Sequence, residues 1–113
     1  MSNKKEFLAQ YGSKKHLDKI VDDQDWRVRM AVAQHGHKEN LDKLVNDHEW
    51  VVRGAVAYRG HKEHLDKLVN DQHHTVRRYV ARKGNKEHAE KLQNDEDVIV
   101  QQDAKERLKE LNK

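Results

Sequence analysis

The chain has 113 residues, of which 35% are hydrophobic and 38% charged, enough for one domain but too lean in apolar material for a deep core. Its 23 lysines and arginines nearly balance 20 acids, and a net charge of +3 does not by itself specify a nucleic-acid or membrane partner. With no cysteine there is no disulfide framework, thiolate metal site or cysteine nucleophile, and the chain suits a reducing cytoplasm.

The opening residues Met1-Ser2-Asn3-Lys4-Lys5-Glu6 lack the apolar run of a signal peptide. Nor does any stretch approach the roughly 18 apolar residues of a membrane span. A soluble cytoplasmic protein with no membrane partner is the expectation.

Residues 17–40, 41–64 and 65–88 align without a gap as LDKIVDDQDWRVRMAVAQHGHKEN, LDKLVNDHEWVVRGAVAYRGHKEH and LDKLVNDQHHTVRRYVARKGNKEH. A unit of this size that recurs at a fixed step buries its apolar face against its neighbours, the logic of a helical repeat array. Residues 1–16 match the second half of a row, with Gly12 in the column of Gly36, Gly60 and Gly84. Residues 89–113 keep Leu92 and Asp95 but carry Leu108 in the glycine column. The organisation read from this is one domain, 1–113: an N-terminal half-repeat cap (1–16), three repeats and a divergent C-terminal capping repeat (89–113).

In chain order, Phe7, Leu8 and Tyr11 either close the first end or meet a second copy, so a homodimer through exposed ends is one expectation. Within each row a short segment comes first. Leu65, Leu68 and Val69 stand at the i, i+3, i+4 spacing of one helical face and predict a short helix, α or partly 3₁₀. Next comes an acid, at Asp23, Asp47, Asp71 and Asp95, placed to cap the following helix. That helix carries Val28, Ala31 and Val32, or Val52, Ala55 and Val56, as its core seam, and Ala33, Ala57 and Ala81 as small spacers. Gly36, Gly60 and Gly84 follow it, where a left-handed residue ends many helices. In the last unit Val100, Ala104, Leu108 and Leu111 form one stripe and predict a single long capping helix.

The string Asp-x-x-Trp-x-Val-Arg-x-Ala-Val-Ala-x-x-Gly, present at 23–36 and 47–60, resembles the Val-Arg signature of HEAT-like repeats, and the 24-residue step resembles the leucine-rich repeat variant (LRV) subclass. The resemblance implies an all-α, right-handed α-α superhelix in which longer and shorter helices alternate. It also implies that Arg29, Arg53 and Arg77 bond to the acidic turn residues of their own or the adjacent unit. An arginine early in a helix opposes the macrodipole, which independently calls for such a partner. HEAT-like repeats commonly carry proline near a helix start, and this chain has none.

Candidate chemistry is sparse. His61 and His64 with the column of His16 and His88 invite a metal reading, but no carboxylate pattern completes a site. The di-iron hydroxylases among HEAT-repeat proteins use repeated His-Glu dipeptides, and only His48-Glu49 is present here. Ser2, Ser13 and Thr75 lie in no nucleophile elbow, and no P-loop or dinucleotide fingerprint exists. No enzyme activity, cofactor or metal is expected. Trp26 and Trp50 share a column and read as ring packing between successive helices in preference to a base-stacking platform.

The columns that vary between otherwise similar rows are the ones a partner could read. They supply Met30, Gln34, Tyr58, Arg59, Arg78, Arg82, Lys83 and Lys86 as the candidate partner-binding surface, increasingly basic toward the C-terminal side. The function expected is a scaffold that binds another protein through the exposed face of the longer helices. One alternative is nucleic-acid binding through the patch around Arg78 and Arg82, as in the DNA-binding glycosylases among HEAT-like proteins. The second is a repeat array with no activity of its own.

Overall fold

A computed structural model describes Lys4, Lys5, Phe7, Ala9 and residues 12–113. The fold is all-α, with no strand among the described residues: α1 (Lys14–Ile20), α2 (Trp26–His35), α3 (Lys38–Leu44), α4 (Trp50–Arg59), α5 (Lys62–Leu68), α6 (His74–Lys83), α7 (Lys86–Leu92) and α8 (Val98–Leu111). None of these helices is long and apolar enough to cross a membrane. The chain divides into two compact units, 1–56 and 57–113, with the boundary inside α4.

In the first unit, Leu17 and Val21 of the first short segment, Val28 and Val32 of α2, and Leu41, Leu44 and Val45 of the next are all buried. Each such side chain contributes about 1.5–3 kcal/mol. Ala33 is completely buried, whereas Ala31 is only half-buried, so the seam of α2 runs through Val28, Val32 and Ala33, not Ala31. The spacer alanine therefore belongs to the core itself. Phe7 is largely exposed, while Leu8 and Tyr11, named with it above, lie outside the described residues.

The second unit repeats the pattern with Leu65, Leu68 and Val69, then Val76, Val80 and Ala81, then Ala89 and Leu92. The short segments are α-helical throughout, seven residues each. Without the glycine, α8 continues for 14 residues, burying Val100 and Ala104 while Leu108 is half-buried and Leu111 exposed.

Two expectations about the turns need correction. The recurring acid is not the helix cap: Asp25 caps α2, His73 caps α6 and Asp97 caps α8, each two residues later than Asp23, Asp71 and Asp95. The acid instead folds the turn ahead of the cap, accepting the N–H two residues on at 2.9 Å in all four copies (Asp25, Glu49, His73 and Asp97). This local side-chain bond competes with helix and starts the element late.

The glycines also differ from expectation. Only Gly60 has a left-handed backbone (φ +81), while Gly36 and Gly84 are extended. Those two are required for space. A Cβ on Gly36 would lie 2.6 Å from the Val32 carbonyl oxygen and 2.9 Å from Asn40 Oδ1. On Gly84 it would lie 2.6 Å from both the Val80 oxygen and His88 Cβ. Gly84→Ala should therefore cost about 1–3 kcal/mol through overpacking, and Gly60→Val should destabilise through backbone strain. Thermal melts at neutral pH check both; an unshifted Gly84→Ala melt would show that the turn yields to the methyl group.

Candidate interaction surface

The arginine column is the most heavily bonded feature of both units. Arg29 donates from Nε to Asp47 Oδ2 at 2.7 Å and from a second nitrogen to Asp47 Oδ1 at 3.3 Å. Its third nitrogen reaches the carbonyls of Asp23 (2.7 Å) and Gln24 (3.0 Å). One guanidinium thus ties the turn before its own helix to the turn before the next long helix. Arg77 repeats the arrangement with Asp95 at 2.8 and 3.2 Å and with the Asp71 carbonyl at 2.7 Å. Arg53 likewise donates to the Asp47 carbonyl at 2.7 Å. The fork geometry suits arginine, and the pair Arg29–Asp47 is only 7% exposed on each side. The Asp47 carboxylate raises the Arg29 pKa further, holding it charged.

The column continues beyond the arginines. Lys5 stands 24 residues before Arg29 and bonds Asp23 at 2.6 Å; Gln101 stands 24 after Arg77 and donates to the Asp95 carbonyl at 2.5 Å. Neither terminal substitute was recognised from sequence, although alignment by the repeat step places both.

A second set of bonds orders the short helices. Asn40 Oδ1 accepts the His37 N–H at 2.9 Å while its amide donates to Asp18 at 2.8 Å. In the other unit His88 does the same work: Nδ1 accepts the Asn85 N–H at 3.1 Å, and Nε2 meets Asp66 at 2.6 Å. Because a backbone N–H only donates, the ring proton resides on Nε2. Asn40 and His88 share one column because each offers an acceptor and a donor at matching positions, whereas the buried Nδ1 of His64 in the same column accepts no hydrogen bond among the described residues. Among the described residues no three histidine or acidic side chains gather in a metal-binding group; the rings of His61 and His64 meet edge to face at 5.4 Å.

The varied columns come to the surface unevenly. Gln34, Tyr58, Arg59, Arg82, Lys83 and Lys86 are exposed, whereas Met30 and Arg78 are half-buried. Arg78 and Arg82 do not present an open basic patch, because both approach Asp103 of α8, at 2.9 and 3.5 Å. Tyr58, 55% exposed, meets Tyr79 edge to face at 5.6 Å, and Lys83 lies over the Tyr58 ring at 4.2 Å. A groove of about 360 Å³ is lined by Tyr58, Arg82 and Lys83 and, from α8, by Asp103, Glu106, Arg107 and Glu110. These acids were missed in the sequence reading. Asp103 falls in the column of Ala31, Ala55 and Tyr79, and an acid there was the available signal.

Trp26 and Trp50 open their helices with 40% and 38% of their surface exposed.

Known proteins give no match: no family model, curated protein or solved structure corresponds to this chain.

Removing the arginine of a latch should be costly. Arg29→Met is expected to lower unfolding free energy by about 3 kcal/mol, since it leaves Asp47 buried without its cation, and adding Asp47→Asn should recover part of the loss. Urea denaturation of the two variants checks this; equal losses would show that the buried charge is not the cause. Carboxylates of the turns and of the short helices also set a pH dependence. Asp23 is held below its ordinary pKa by the Lys5 ammonium and the Asp25 N–H, and Asp18 by the Asn40 amide and Lys14. The Lys62 ammonium and His88 lower Asp66, and the Val100 and Ile99 amides lower Asp97. Groups lowered on folding stabilise above the unfolded value of about 3.9 and lose that contribution as pH falls through the depressed values. The melting temperature should therefore fall as the pH drops below about 4; no change down to pH 2.5 would contradict this assignment.

Proposed function

We propose that the chain is a non-catalytic, HEAT-like repeat array of the LRV kind that binds another protein in the cytoplasm through the longer helices of its repeats. One observation carries the reading. The columns that repeat are spent on the core and on the turn latches, whereas Gln34, Tyr58, Arg59, Arg82 and Lys83, which differ between rows, stand exposed. Such a division leaves recognition to side chains that the fold does not need. Tyrosine and arginine are also the residue types enriched at protein interfaces.

The nucleic-acid reading has weaker support. Asp103 engages the two arginines on which it rested, and Glu106 and Glu110 would repel a phosphate backbone entering the same groove.

Two experiments decide between them. A displayed peptide library selected on the immobilised protein is expected to yield binders, and labelled DNA and RNA oligomers are expected to show no anisotropy change at low salt. Oligonucleotide binding that weakens steeply with added salt would put the nucleic-acid reading first. A selection without binders would leave an array with no activity of its own.

A further inference from the structure

Resting on the protein-binding reading, we propose that the turn edge of the first unit, where Trp26 and Trp50 open α2 and α4, is a docking surface for a peptide segment carrying lysine or arginine.

Three observations meet there. First, the two indoles are the largest side chains of the unit left substantially open to water, and they recur at one position of the repeat. Arg29 ties together the turns that precede them, bonding Asp23 and Gln24 of one and Asp47 of the other, so both rings start from one rigid edge.

Second, the edge is acidic. Asp22, Asp23, Asp25, Asp47 and Glu49 fall within the two turns. Of these, Asp23 is engaged by Lys5, Asp25 by Arg27 and Asp47 by Arg29. Asp22 is exposed and forms no ion pair among the described residues, and half-buried Glu49 lies 3.8 Å from the His48 ring and adds to the field that holds Arg29 charged. Asp22 and Glu49 thus add carboxylate charge to the turns that lead into Trp26 and Trp50. They outweigh the half-charges of the two helix N-termini, one of which Asp25 already caps by accepting the Arg27 N–H at 2.9 Å.

Third, an indole face attracts a cation, and a neighbouring carboxylate completes its recognition. A phosphate-bearing ligand would stack on the same rings but meet the acids, so the charge selects the partner. The net charge of the whole chain is +3, so a cationic peptide would be drawn to this edge and not to the protein at large.

The chain contains two tryptophans, both on this edge, so intrinsic fluorescence reports from the site. The test titrates the full chain at low salt with a short synthetic lysine–glycine peptide and, in parallel, with a glutamate–glycine peptide. The lysine peptide is expected to change the emission saturably and the glutamate peptide to leave it unaltered. The double variant Asp22→Asn, Glu49→Gln, with circular dichroism identical to the parent, should bind the lysine peptide roughly five- to tenfold more weakly. No change in emission with the lysine peptide, or equal affinity in the double variant, would overturn the proposal. Library-selected peptides that bind without altering the emission would also overturn it while leaving the protein-binding reading intact; failure to select any peptide would remove both.

Discussion

The buried arginine that spans two turns is the constraint on which both units depend. Each long helix begins immediately after a turn of polar backbone, and a turn with unsatisfied carbonyls would be costly to pack. Arg29 and Arg77 satisfy those carbonyls with one nitrogen and hold the next turn's carboxylate with the others. A lysine offers a single charged centre and could not serve both partners in fixed geometry. At the two ends of the column one half of this task is absent, and the residue changes accordingly. Among the described residues the Lys5 side chain meets a carboxylate, and that of Gln101 a carbonyl.

The same economy governs the short helices. A seven-residue helix is too short to be stable alone, and here it is held by its apolar face and by the Asn40 or His88 side chain bonding both its own N-terminus and an aspartate 22 residues earlier. Gly36 and Gly84 belong to this device. They keep the chain bare where a carbonyl of the long helix's last turn and the capping side chain converge, so that no Cβ fits between them. Core, turn and cap are thus one cooperative arrangement, repeated with small chemical substitutions.

What this leaves for recognition is the remainder of the surface, and the charges on it are less free than their number suggests. α8 closes the second unit with Val100 and Ala104, and brings Asp103 against Arg78 and Arg82. A residue pattern that reads as a basic patch is offset in part by the helix beside it. On the first unit arginine and lysine engage three turn acids, while Asp22 stays exposed in the turn before Trp26 and Glu49 directly precedes Trp50.

The repeat step, the all-helical class, the valines of the apolar seams and the long last helix were legible in the residues, because each rests on local periodicity or on apolar burial that recurs every 24 positions, whereas the seam's alanine proved to be Ala33 and not Ala31. The partnership of the arginines with acids was legible too, from the cost of a cation near a helix start. Tertiary structure alone decided what the turn residues do. Whether an aspartate caps a helix or folds the turn before it depends on a shift of two residues that composition does not encode, and whether a glycine serves a left-handed backbone or a crowded junction depends on the side chain packed against it. It also decided which charges remain free, because Asp103 reaches Arg78 across 25 residues of sequence, a pairing set by the approach of two helices and by no pattern within either.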